Sequence, residues 1–70
     1  MEVLKLKGKM AENNDTLKEL AKALGVSPTT AQYKVNGKTE FTQDEIARII
    51  ERYHLTKEET FNIFFANVVS

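Results

Sequence analysis

Residues 16–38, TLKELAKALGVSPTTAQYKVNGK, set the architecture expected of this 70-residue chain. Leu17, Leu20, Ala21 and Leu24 recur at helical spacing, which predicts a helix with one apolar face. Thr16 and Glu19 have the spacing of a capping box, so that helix starts beside Leu17. Gly25 supplies the left-handed backbone that a helix C-terminus prefers, because it has no Cβ to clash. Val26 turns back to the core, and Ser27 can accept an orphan backbone N–H. Pro28 then stands at a first helical position, where its missing N–H costs nothing. A second helix is expected from Pro28 to about Asn36, closed by Asn36-Gly37. That pair could instead make a hairpin turn, but its neighbours lack strand alternation.

The flanks extend the helical pattern. Val3, Leu6 and Met10 share one side of a helix expected from about Leu4 to Asn13, weakened by Gly8. Asn13-Asn14-Asp15 is a turn cluster. Thr42 with Glu45 forms a second capping box, and Phe41 with Ile46 a hydrophobic staple. They open a helix whose Ile46, Ile49, Ile50 and Tyr53 face the core. Thr56 and Glu59 repeat the capping spacing and start a last helix over about residues 57–66. Phe61, Phe64, Phe65 and Val68 fall on one face of it. The expectation is an all-α fold: one compact five-helix domain spanning residues 1–70, with a helix-turn-helix at 16–37. No linker, repeat or low-complexity segment interrupts it.

Composition narrows the functional classes. No apolar run approaches the roughly 20 residues of a membrane span, and the N-terminus lacks the apolar core of a signal peptide. The expected setting is cytoplasmic. Cysteine is absent and His54 stands alone, so neither disulfides nor a metal site are expected. No nucleophile–base set and no phosphate-cradling glycine loop occurs, so neither an enzyme nor a cofactor is inferred. Net charge is zero, but unevenly spread. Residues 1–38 carry about +3 and residues 39–70 about −3, an asymmetry that points one basic end at a polyanion.

Two helices across a tight turn form the unit that places a recognition helix in the DNA major groove. On Leu20-Ala21, Leu24-Gly25-Val26-Ser27, Ala31 and Asn36-Gly37-Lys38, the chain resembles the lambda-repressor-like (Xre-type) helix-turn-helix family of phage repressors and Cro proteins. The resemblance covers about residues 4–66. It is closest to small phage-encoded members whose recognition helix ends in a run like Lys34-Val35-Asn36-Gly37-Lys38. Two positions depart from the pattern. Leu17 stands where many members have a phosphate-clamping Gln. Lys34 stands where many have an apolar residue, and Val35, four after Ala31, can restore the buried face.

Within residues 28–36, Ala31 and Val35 point one way, while Thr29, Gln32, Tyr33 and Asn36 share the other face. That face is polar and uncharged, whereas a solvated helix face ordinarily carries Lys and Glu. Gln pairs with adenine N6 and N7, and Thr offers a hydroxyl and a methyl suited to thymine. The resemblance implies base contacts at Pro28, Thr29, Gln32 and Tyr33, and phosphate contacts at Asn36 and Lys38. Ser27 and Thr30 read first as capping residues, at a helix start that also suits a phosphate. Lys5, Lys7, Lys9, Lys18 and Lys22 either add positive potential or only solubilise. Glu45, Glu58 and Glu59 sit in helix first turns, where negative charge is favourable. Phe61 and Phe64 are expected in the core. Phe65, Val68 and Val69 either complete it or form a surface for self-association.

The function expected is a sequence-specific DNA-binding transcription regulator, a phage or prophage repressor or Cro-like protein. Its partners would be a double-stranded DNA operator and a second copy in a homodimer. The alternative is a protein-interaction module on the same fold, an antitoxin or antirepressor partner.

Overall fold

Helix boundaries in the computed structural model, which describes residues 1–66, follow from chemistry within a few residues of each end. The order is α1 (Val3–Glu12), α2 (Leu17–Leu24), α3 (Pro28–Val35), α4 (Gln43–Tyr53) and α5 (Lys57–Thr60). The last continues as a π-helical turn over Phe61–Phe65. No strand occurs among the described residues. The radius of gyration, 11.1 Å, matches the roughly 11 Å expected of a compact chain this long.

Three helix starts use the same device. In α2, Glu19 N–H donates to Thr16 Oγ1 at 3.1 Å and Thr16 N–H to Glu19 Oε1 at 3.2 Å. Thr42 with Glu45 and Thr56 with Glu59 repeat this reciprocal pair at α4 and α5. Each box satisfies two backbone donors that would otherwise lack partners. Helix α3 starts on Ser27, whose Oγ accepts Thr30 N–H at 3.1 Å, with Pro28 at the first helical position.

The ends are equally uniform. After α2, Val26 N–H donates to Ala21 carbonyl and Gly25 N–H to Lys22 carbonyl, with Gly25 at φ +73°. After α3, Lys38 N–H donates to Tyr33 and Gly37 N–H to Lys34, with Gly37 at φ +80°. These are Schellman closures, which need one left-handed residue. Asn14 (φ 51°) and His54 (φ 52°) fill that place after α1 and α4. A Cβ at Gly37 would come to contact distance of Val3 Cγ2, 3.4 Å.

The core joins Leu6 and Met10 of α1, Leu20 and Leu24 of α2, Val35 of α3, and Ile49 and Tyr53 of α4 to Leu55, Ile63 and Phe64. Leu6, Leu20 and Ile49 are fully enclosed. Leu17, Val26, Phe41, Ile46 and Ile50 pack around them half-buried. Helices α2 and α3 are the most closely packed helix pair. The last helix lies against α1, and Glu2 N–H donates to the Ile63 carbonyl at 2.7 Å. Phe41 meets Phe64 edge-on, with ring centroids 6.0 Å apart. No helix among the described residues is long and apolar enough to cross a membrane.

The last helix departs from the periodic expectation. Ile63 and Phe64 are buried, while Phe61 is 46% exposed and Phe65 41% exposed. Phe61 is therefore not a core residue. The turn is a π-turn, closed by i→i+5 rather than i→i+4 bonds, so i+3 and i+4 spacing no longer defines one face. Helix α1 starts at Val3 and ends at Glu12, about one residue earlier than the pattern of Val3, Leu6 and Met10 implies.

Candidate nucleic-acid interface

Helix α3 turns Ala31 and Val35 inward, at 0% and 3% exposure. Pro28, Thr29, Gln32, Tyr33 and Asn36 are all exposed. The structure thus brings the residues singled out by spacing onto one solvent face. Two are already engaged. Asn36 Nδ2 donates to the Gln32 carbonyl at 2.9 Å, which fixes Asn36 against the helix end. Lys38 Nζ lies 5.7 Å from the Tyr33 ring centroid, within cation–π range. The ammonium thereby gathers beside Tyr33.

At the other end of α3, Ser27 Oγ donates to Thr30 Oγ1 at 3.0 Å while accepting Thr30 N–H. Ser27 is exposed and Thr30 half-buried. Both hydroxyls serve the cap, as their positions imply. The Thr29 N–H of the first turn points along the helix axis, where its partial charge favours an anion.

The lysines of residues 1–38, apart from Lys34, divide into two groups. Lys9 pairs with Glu59 and, at 3.5 Å, with Glu12, so it ties α1 to α5. The Glu59 side-chain hydrogen bond raises the Lys9 pKa, and the same contact lowers that of Glu59. Glu59 therefore has a basic partner as well as its capping role. Lys5, Lys7, Lys18, Lys22 and Lys38 are exposed and have no ion-pair partner among the described residues. These five supply the outward positive charge of the N-terminal half.

Sequence spacing missed two polar groups, one of which fixes α3 and the other the turn before α2. Lys34 and Glu45 are 8% and 7% exposed, and Lys34 Nζ donates to Glu45 Oε1 at 2.5 Å. Burial pushes the Glu45 carboxyl up. The bonds from Lys34 and from the Thr42 backbone outweigh that burial and hold it below the ordinary value. Lys34 therefore fills its inward position as half of an ion pair, alongside Val35. Its run to the carboxylate buries an aliphatic stem that periodicity treats as exposed.

The second group centres on Asp15. Arg52 Nε and Nη2 donate to its two oxygens at 2.8 and 2.6 Å, and the Tyr53 hydroxyl donates to Oδ2. Arg52 depresses the Asp15 carboxyl, aided by Tyr53, and burial and Asp15 together raise the Tyr53 hydroxyl. This network pins the α1–α2 turn to α4 beside the helix pair. A turn cluster followed by an aromatic-basic helix end gives no local sign of it.

Of the self-association candidates, Phe65 is partly exposed, and Val68 and Val69 lie outside the described residues. Phe65 borders a cavity of about 480 Å³ shared with Phe64, Phe41, Asn36 and Gly37. The fold therefore brings Phe65 beside the end of α3, from which it is distant in sequence.

Comparison with curated proteins and with solved structures returned no match. A family described as "Protein of unknown function (DUF739)" matches residues 1–67. The chain belongs to that family.

Proposed function

We propose that this chain is a sequence-specific DNA-binding transcription regulator of the lambda-repressor-like helix-turn-helix class, acting on a double-stranded operator as a homodimer. The observation that carries the reading is the exposed face of α3. It is eight residues long, outward-facing at Thr29, Gln32, Tyr33 and Asn36, and free of charge. Such a face suits hydrogen bonding to base edges better than solvation. Pro28, Thr29, Gln32 and Tyr33 would read bases in the major groove. Ser27, Thr30, Asn36 and Lys38 would contact phosphates, which position the protein without reading sequence. Occupancy of an operator would block polymerase, the mechanism of a small phage or prophage repressor working in the cytoplasm.

Titration of labelled duplex at several salt concentrations tests the reading. Affinity should fall linearly with log salt, at a slope of about −0.9 per phosphate neutralised. A salt-insensitive interaction, or none, would defeat it.

A second reading is a protein-interaction module on the same fold, as in an antitoxin or antirepressor partner. It is favoured by the zero net charge and by the exposure of Leu4, Phe61 and Phe65. Loss of DNA binding with retention of a protein partner would select it.

A further inference from the structure

Helix α3 follows α2 across a tight turn and buries Ala31, Val35 and the stem of Lys34, and burial of apolar surface by itself fixes no angle. Among the described residues, α3 makes one side-chain hydrogen bond or ion pair to another helix, Lys34 to Glu45. The acceptor is itself fixed from the backbone. Glu45 Oε1 also accepts Thr42 N–H at 2.9 Å, and Glu45 N–H donates to Thr42 Oγ1 at 3.1 Å. The oxygen that caps α4 is thus the oxygen that receives the Lys34 ammonium. Arg48, by contrast, pairs with Asp44 on the exposed side of its own helix and donates to the Ala23 carbonyl of α2 at 3.4 Å, so it does not touch α3.

We propose that Lys34 and Glu45 are positioning residues that set the orientation of α3 relative to α4, and through it the base preference of the exposed face. The second half of this statement rests on the DNA reading above. Lys34 is in the same turn as Gln32 and Tyr33, so a rotation of α3 that breaks the bond displaces both readers. Reading groups must be held within about 0.5 Å and 10–20° of their working geometry. Buried ion pairs contribute little net stability compared with apolar replacements, and registry is their best-attested use.

The test is the double variant Lys34→Met with Glu45→Gln. Met keeps the buried stem, and Gln at the third helical position preserves the capping box. Residual dipolar couplings of backbone N–H groups, measured without DNA, report the direction of each helix. The wild-type couplings should fit one arrangement of α1 to α4. In the variant, α1, α2 and α4 should keep that arrangement while the α3 couplings depart from it. On a selected half-site, the ratio of specific to random-duplex affinity should fall about tenfold or more, the loss of one good base contact. Affinity for random duplex and its salt slope should not change, whereas a general loss of folded protein would lower both affinities together.

Variant couplings that fit the wild-type arrangement in all four helices overturn the proposal. Moved couplings with an unchanged specificity ratio overturn its second half. If the wild-type chain selects no sequence, the DNA reading fails, and the couplings alone decide the orienting role. Should the double variant unfold, Lys34→Gln alone, which sets a neutral amide against Glu45, carries the same readouts.

Discussion

Replacing Asp15 with Ala removes the acceptor for three hydrogen bonds at once. The two donors are not equally costly to abandon. Arg52 is one-third exposed and turns to water, a loss of about 0–1 kcal/mol by the measure of surface pairs. Tyr53 is 5% exposed, and its hydroxyl would be left in the interior without a partner. A buried group stranded in that way costs about 1–3 kcal/mol. The total is about 1–4 kcal/mol, set against the roughly 4–10 kcal/mol available to a chain of this length. The melting temperature should drop by roughly 5–30 °C, at about 4–8 °C per kcal/mol. Urea unfolding at pH 7, followed by circular dichroism, measures the difference directly.

The pH dependence adds a check on cause. Arg52 holds the Asp15 carboxyl below its ordinary 3.8 in the folded state. A depressed carboxyl contributes stability that is present above the unfolded value and lost as pH falls through the folded one. The gap between wild type and the isosteric Asp15→Asn should therefore be widest near neutrality and shrink below about pH 4. Glu45 and Glu59 are lowered in both proteins, so each retains some acid sensitivity. A gap smaller than about 0.5 kcal/mol at pH 7, or one that does not narrow in acid, would refute the reasoning.

Three further outcomes follow from the proposed interface. Gln32→Ala and Thr29→Ala should each relax preference at particular operator positions, costing about 1–3 kcal/mol where a good contact is lost. Circular dichroism should stay unchanged, because both side chains are exposed, and equal losses on specific and random duplex would count against base reading. Lys38→Ala should reduce the salt slope by about one unit and leave sequence preference intact. Phe65→Ser combined with Val68→Ser should weaken the dimer in sedimentation with and without duplex. A wild-type chain that is monomeric in both, with one copy per operator, would refute the dimer.

Helix starts and stops were legible because their chemistry is local. Thr16 with Glu19, Thr42 with Glu45, Thr56 with Glu59, and Ser27 with Pro28 mark four starts within a few residues. Gly25 and Gly37 mark two ends in the same way. The outward face of α3 was legible too, since helical spacing separates Ala31 and Val35 from Thr29, Gln32, Tyr33 and Asn36. The polar contacts that fix α3 and the α1–α2 turn were not. Lys34 and Glu45 are 11 positions apart, and Asp15 and Tyr53 are 38 apart. Spacing rules place Tyr53 inside but charged side chains outside, so they miss Asp15, Lys34 and Glu45. His54 shows a smaller version of the same limit. It closes α4 in the left-handed conformation, a place that sequence rules assign to glycine or asparagine. Phe61 was misplaced because a π-turn changes which positions share a face, and no local composition announces it.

The central claim is that α3 reads DNA sequence, and selection from a random duplex pool tests it most directly. The wild-type chain should enrich a two-fold symmetric site with half-sites about 34 Å apart, one helical turn along the duplex. The enriched bases should change with Gln32→Ala. Enrichment of no sequence from a pool that the folded chain has sampled would contradict the claim.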